Sequence, residues 1–293
     1  MKAVFIGNVE FSFQCLERLI HLKVNLVGVI TKESSTFNND FVDLRPLCIA
    51  NQIPCHYSND INSFNTIKWI RDLEPDVIFC FGWSSLIKKE VLNIPKSGVI
   101  GYHPAKLPMN RGRHPLIWAI FLGLKASAST FYFMDESADS GDILSQVDFE
   151  ILYEDDAYSI YSKVVQIAIE QIDEFIPQLK GGNYSRYKQK NEISNLWRKR
   201  SKLDGKIDFR MNSKSIYNLT RALTRPYVGS HIHYNEENFS VWRVKEINTS
   251  QQNIEPGKVL KANGNTFIVK SYDGAIEVLE HNFKKLPKVG EYL

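Results

Sequence analysis

Ser97-Gly98-Val99-Ile100-Gly101-Tyr102-His103-Pro104 opens a run that continues as Ala105-Lys106-Leu107-Pro108-Met109-Asn110-Arg111-Gly112-Arg113-His114-Pro115. Ser97–Tyr102 is apolar at consecutive positions, so it reads as a strand covered on both faces, with Pro104 stopping it just past His103. The same pattern stands upstream at Lys2–Ile6, Asn25–Thr31 and Val77–Phe81, with a shorter extended piece at Ile53-Pro54-Cys55. Helical spacing of apolar residues separates these strands at Phe13–His21, Val42–Asn51, Ser63–Asp72 and Ser84–Asn93. Downstream, Pro115–Leu122 reads as a helix, Ser127–Met134 as a strand and Asp155–Leu179 as a long amphipathic helix, which Gly181-Gly182-Asn183 ends. Apolar strands alternating with amphipathic helices imply an α/β fold with a doubly wound, mostly parallel sheet.

The pattern changes after about residue 205. One more helix, Ser213–Leu223, stops before Pro226. Short strands follow at Ser230–Tyr234, Phe239–Ile247, Lys258–Ala262, Thr266–Lys270 and Ala275–Leu279, with Asn263-Gly264 and Asp273-Gly274 as tight-turn pairs. We therefore expect a catalytic domain over residues 1–205 and a small antiparallel, β-barrel-like domain over residues 206–293.

Composition narrows the classes. The 293 residues are 43% hydrophobic and 24% charged, ordinary for a globular chain and against extensive disorder. No apolar run reaches the roughly 18 residues of a membrane span. The start lacks the apolar stretch of a signal peptide, which leads us to expect a cytoplasmic protein. Lys+Arg total 36 against 33 Asp+Glu, a net charge of +3, too weak an imbalance to require a nucleic-acid partner. Cys15, Cys48, Cys55 and Cys80 form no CxxC pair, so they read as small buried residues, and no metal site is expected.

Ligands of open parallel sheets sit beyond the carboxyl ends of the strands. The polar residues there are Asn8, the Gly82-Trp83-Ser84-Ser85 run, His103 and, in the loop after Ser127–Met134, Asp139. A single glycine follows the first strand, so a GxGxxG dinucleotide site is poorly supported. A His103–Asp139 pair would let the carboxylate fix the imidazole tautomer and raise its basicity. Arg111 and Arg113, ahead of a helix, suit a phosphate.

With these residues in view, the chain resembles the folate-dependent formyltransferases. Gly101-Tyr102-His103-Pro104-Ala105-Lys106-Leu107-Pro108-Met109-Asn110-Arg111-Gly112 follows the pattern N-x-H-x-S-L-L-P-x-x-R-G. Met134-Asp135-Glu136-Ser137-Ala138-Asp139-Ser140-Gly141-Asp142-Ile143 follows M-D-x-x-x-D-x-G-x-[IM]. The tail is similar to the small barrel that follows the catalytic domain in methionyl-tRNA and UDP-4-amino-4-deoxyarabinose formyltransferases, through Arg221–Gly229, Val241-Trp242 and Pro256–Val259. The resemblance implies formyl transfer from 10-formyltetrahydrofolate to an amine, with His103 and Asp139 catalytic. It implies a folate site near Phe81, Trp83, Leu86, Ile87, Ser137 and Gly141. One departure from the pattern matters: the family's asparagine falls on Gly101, so an oxyanion donor is missing there. Glycine would leave room for a water or for the acceptor.

The acceptor is read from charge. The stretch after the second strand, Thr31–Leu44, has one lysine and three acidic residues, which disfavours a polyanion such as tRNA. A small nucleotide-linked amino sugar fits better. Arg111 and Arg113 would meet its diphosphate, and Asn8, Asn38 and Asp43 would meet its amine or hydroxyls. The expected partner is thus a small molecule, with no nucleic acid and no membrane, and a homodimer is compatible. The basic run Arg198-Lys199-Arg200 is the feature that favours the tRNA alternative. Gly101 is the feature that would fit a catalytically weakened binding protein.

Overall fold

The structure is a computed structural model that describes residues 1–35, 40–249, 251 and 253–293. The first half alternates strand and helix: β1 (Lys2–Ile6), α1 (Glu10–His21), β2 (Asn25–Thr31), α2 (Arg45–Ala50), β3 (Cys55–Tyr57), α3 (Phe64–Leu73), β4 (Val77–Cys80), α4 (Lys89–Leu92) and β5 (Val99–His103). Then come β6 (Arg111–Gly112), α5 (Pro115–Phe121), β7 (Ala126–Phe133), β8 (Ile143–Glu150), α6 (Ala157–Gly181) and β9 (Leu196–Trp197). The remainder holds α7 (Ser213–Leu223), β10 (Ser230–Tyr234), β11 (Glu237–Ile247), β12 (Val259–Asn263), β13 (Thr266–Lys270) and β14 (Ala275–His281).

Two compact units result. The first comprises Met1–Gly112, Ser127–Phe149 and Ser162–Trp197; the second comprises Arg113–Ala126, Glu150–Tyr161 and Arg198–Leu293. The first is built on a seven-stranded sheet of order β3-β2-β1-β4-β5-β7-β8. Strands β3 through β5 pair in parallel. They carry the Val, Ile and Phe runs because helices cover both faces. Val4, Ile6, Ile30, Ile78, Cys80 and Val99 meet Ile61, Ile70, Ile87 and Val91 in one buried cluster. The second unit contains a five-stranded antiparallel sheet of order β10-β11-β14-β13-β12. No helix among the described residues is long and apolar enough to cross a membrane.

Several elements differ from the sequence reading. The helix expected over Ser84–Asn93 is only the single turn Lys89–Leu92. Asn62 explains this, since its amide donates to the Leu86 carbonyl at 2.9 Å and accepts from the Lys88 amide at 2.8 Å, holding the preceding loop out of helical form. Strand β8 carries Gln146 on a half-exposed position and Asp148 and Glu150 on exposed ones, and this polar pattern hid it. Strand β7 enters antiparallel to β5, pairing Gly101 with Tyr132 and His103 with Thr130.

The β1–β4 junction is where the strand order reverses, the usual ligand crevice of such sheets. Ser12 welds it. Its hydroxyl accepts from the Asn8 and Val9 amides, each at 3.2 Å, and donates to the Phe81 carbonyl at 2.6 Å, fully buried. Ser12→Ala leaves these groups unpaired, and we expect a loss of roughly 1–3 kcal/mol or more in urea unfolding. An unchanged midpoint would show that the weld is dispensable.

Candidate active site

The site is assembled around the half-buried carboxylate of Asp139. The residue sits at φ 55°, a left-handed conformation that Asp tolerates better than most side chains. Its Oδ2 accepts from the Gly112 amide at 2.8 Å, and its Oδ1 accepts from the Tyr132 hydroxyl at 2.8 Å. Oδ2 also lies 3.6 Å from His103 Nδ1, and both side chains are largely shielded from solvent. Burial, followed by the charge of Asp139, pushes the Tyr132 phenol well above its usual range. The phenol is therefore a donor at any working pH.

His103 has a defined tautomer. Its Nε2 lies 2.8 Å from the Asn110 carbonyl, which can only accept, so Nε2 carries the proton. In the neutral ring Nδ1 is then the bare, basic nitrogen, and it faces Asp139. At 3.6 Å the gap exceeds a hydrogen bond, and a lone pair facing a carboxylate is unfavourable. A proton arriving at Nδ1 converts that repulsion into an ion pair. The pair is built to take up one proton.

Antiparallel pairing changes where this happens. The turn after β7 leaves the sheet beside Val99, whose carbonyl accepts from the Met134 amide at 2.7 Å, rather than beside His103. Gly101, His103 and Tyr132 share one face through strand alternation and pairing. The pair thus forms over the face of the sheet at Gly101, not beyond its carboxyl edge. The space that glycine was expected to leave for water or an acceptor is filled. A Cβ on Gly101 would meet Met134 Cγ at 2.8 Å, Met134 Sδ at 3.0 Å and Tyr132 Cζ at 3.1 Å.

The other expected residues divide by environment. Phe81 is fully buried, and its amide and carbonyl are spent on Ile6 and Ser12. Ile87 belongs to the core cluster. Leu86 is exposed, and its carbonyl binds Asn62. Trp83 is half-buried with its indole N–H unpartnered, and Lys32 Nζ lies 4.9 Å from its ring. Ser137 is exposed, with its amide on Asp135. Gly141 is buried where a Cβ would stand 1.7 Å from the Phe133 carbonyl oxygen, so only glycine closes this turn. Asn8 is 1% exposed, and neither polar atom of its amide has a partner. Asp43 is committed to the Tyr57 hydroxyl and the Arg45 amide. Asn38 lies outside the described residues. Arg111 is spent on Gln189 and Asn191. Arg113 is half-buried in the second unit, where it, Lys199 and Arg200 contribute, after burial, to lowering the pKa of His114.

Three neighbours of the pair escaped the sequence reading. Tyr132 looked like one more aromatic in an apolar strand. Gln189, fifty residues beyond Asp139, donates to the Asp139 and Gly141 carbonyls at 2.9 and 2.7 Å while accepting from Arg111. Asn195 Oδ1 accepts from the Asn110 amide at 2.7 Å and so supports the carbonyl that binds His103. Neither amide lies in a motif. Among the described residues no group of three or more His, Cys, Asp or Glu side chains could hold a metal ion.

Comparison with known proteins adds an independent line. Residues 1–174 match the formyl transferase family and residues 199–292 the formyl transferase C-terminal domain. Methionyl-tRNA formyltransferase of Clostridioides difficile (strain 630) is 28% identical over 299 residues, covering 100% of this chain and 96% of that protein. The bifunctional polymyxin resistance protein ArnA of Wigglesworthia glossinidia brevipalpis is 28% identical over 285 residues, covering 97% of this chain but 43% of that protein. A solved N-formyltransferase from Helicobacter canadensis, in complex with folinic acid and dTDP-3-aminofucose, superposes with a TM-score of 0.76 at 18% identity, covering 96% and 99% of the two chains. WlaRD, a sugar 3N-formyl transferase with dTDP and 5-N-formyl-THF, gives 0.73 at 19%, covering 98% and 99%. At such identity these two likenesses are of fold.

Gln189→Ala removes both donors from the Asp139 turn. Amide exchange over residues 137–142 is expected to accelerate about tenfold or more, since a typical hydrogen bond contributes roughly 1 kcal/mol and two are lost. Unchanged protection there, read by mass spectrometry, would show that Gln189 does not hold the turn.

Proposed function

The chain belongs to the formyl transferase family, and from that premise we propose that it transfers a formyl group from 10-formyltetrahydrofolate to the amine of a nucleotide-linked amino sugar. The observation that carries the chemistry is the His103 Nδ1–Asp139 pair, held 3.6 Å apart with the ring's other nitrogen fixed on a carbonyl. The folate supplies an activated formyl group when bound. An amine attacks it only when neutral and must then shed a proton, which Nδ1 is the base positioned to receive; the formyl carbon's bond to the folate nitrogen would break, and that nitrogen would leave carrying a proton. Because Nε2–H is occupied by the Asn110 carbonyl, proton acceptance suits His103 better than donation to an oxyanion.

Donor binding is assigned to the Gly82–Ile87 loop and the Asp139 turn, where the unpartnered Trp83 N–H and the open Leu86 are the available groups. Folinic acid and 5-N-formyl-THF in the two solved structures of like fold support a folate donor.

Their dTDP and dTDP-3-aminofucose support a nucleotide-linked sugar as acceptor. The acidic character of the segment after β2 supports it too. So does the pairing of Arg198 with Asp204 at 2.5 and 2.8 Å, which partly neutralises the most basic run of the chain. Asn8, with an unpartnered buried amide, remains the substrate contact of this reading. Residues 1–205 would carry catalysis, with residues 206–293 as the second domain. A cytoplasmic setting accords with four free thiols.

His103→Ala is expected to lower kcat at least about a hundredfold, the scale for a lost general base, with the fold retained. Near-normal turnover in a folded variant would sink the assignment. The acceptor is tested with a panel of nucleotide-linked amino sugars beside methionyl-tRNA. We expect formylation of a sugar and a KM that shifts modestly between low and physiological salt. A tRNA enzyme would instead weaken by roughly 0.7–0.9 log units per log unit of salt for each phosphate neutralised. Efficient tRNA formylation would overturn the sugar reading.

A further inference from the structure

We propose that Tyr132 is a positioning residue of the formyl-transfer site, seated across Gly101 so that its hydroxyl fixes the Asp139 carboxylate toward His103. The inference rests on the functional reading above for its catalytic meaning, while the contact itself stands on geometry. Gly101 and Tyr132 are direct partners in the β5–β7 ladder, so the phenol projects over the glycine. The Tyr132 ring lies 3.1 Å from where a Cβ on Gly101 would stand, closer than nearly all real contacts. Tyr132 itself is 4% exposed. Glycine at 101 and tyrosine at 132 are therefore one device: the first makes the room, the second occupies it.

What the hydroxyl does follows from the carboxylate's geometry. Oδ1 is taken by Tyr132 and one direction of Oδ2 by the Gly112 amide. With both oxygens pinned, the carboxylate cannot rotate, and Oδ2 stays directed at Nδ1. Without the hydroxyl, one backbone bond would remain and the carboxylate could swing about it. The titratable groups facing this spot are His103 from β5, Tyr132 from β7, Cys80 from β4 and Asp135 from the turn. Burial pushes the Cys80 thiol up to about 12, so it stays neutral. The hydroxyl thus acts on the proton-accepting pair and does not replace the oxyanion donor that the family's asparagine would supply.

Tyr132→Phe keeps the ring and its packing and deletes only the hydroxyl. Two measurements test it. In the first, thermal unfolding of the wild-type protein and the variant is followed from neutral pH down to about pH 3. The bond is made to an ionised carboxylate, and such charge-assisted bonds are roughly twice as strong as neutral ones. The wild-type advantage should be greatest at neutral pH and narrow as the carboxyl is protonated. A gap that stays constant with pH would overturn the contact. In the second, kcat and KM are compared on an amino sugar that the wild-type protein formylates. We expect kcat to fall tenfold to a hundredfold and KM to stay within about twofold, because positioning acts on the reaction. An unchanged kcat would overturn the proposal. If the wild-type protein formylates no amine at all, the functional reading fails, and the unfolding experiment still judges the contact.

Discussion

A carboxylate largely shielded from water needs partners for its oxygens, and the architecture around Asp139 is organised by that requirement. Its partners arrive from separate parts of the chain: an amide from β6, a phenol from β7 and an imidazole from β5. Satisfying one half-buried charge therefore fixes three segments against one another. The backbone around it is held in turn, because Gln189 ties down the two carbonyls of the turn and Arg111 ties down Gln189. Arg111 looked from its sequence like a phosphate ligand. Here its guanidinium is spent two bonds deep in the scaffold of the site.

The antiparallel entry of β7 is the second constraint. It sets Tyr132 beside Gly101 and sends the following turn back across the sheet. Buried polar bonds then anchor the segment after β5. Thr130 Oγ1 donates to the Ala105 carbonyl at 2.7 Å, and Gln146 donates to the Leu107 carbonyl and to Thr130. Gln171 of α6 binds the Ser129 carbonyl and Ser145. These ties bring the Asn110 carbonyl under His103 with a definite geometry, and that carbonyl selects the tautomer. The basic nitrogen of the histidine is thus chosen by backbone placement seven residues away.

Much of the candidate site was legible from sequence, though not its arrangement. His103 and Asp139 are marked by motif and by position in loops, and the two side chains do meet. Their meeting place was not legible, because strand direction at β7 depends on how the chain returns after α5, and no local pattern records that. The polar support was equally hidden. Gln189 and Asn195 sit in a stretch that reads as a polar join, and an amide gives no periodic signal. Asn62 shortened the helix expected over Ser84–Asn93 to a single turn for the same reason: one long-range amide outweighed a helical spacing of apolar residues.

The sequence by itself determined the α/β core. Runs such as Val77–Cys80 and Val99–Ile100 must be covered on both faces, which requires helices above and below a parallel sheet. It also determined the antiparallel strands of the second unit, whose turn pairs permit tight reversal, and it carried the two motifs that identify the family. Only the tertiary structure decided what glycine at 101 is for. An empty position in a motif is a statement about one residue, whereas the volume above it belongs to whichever neighbour the sheet register delivers. Here the register delivers Tyr132, and close packing leaves no room for the water or acceptor that the glycine alone suggested.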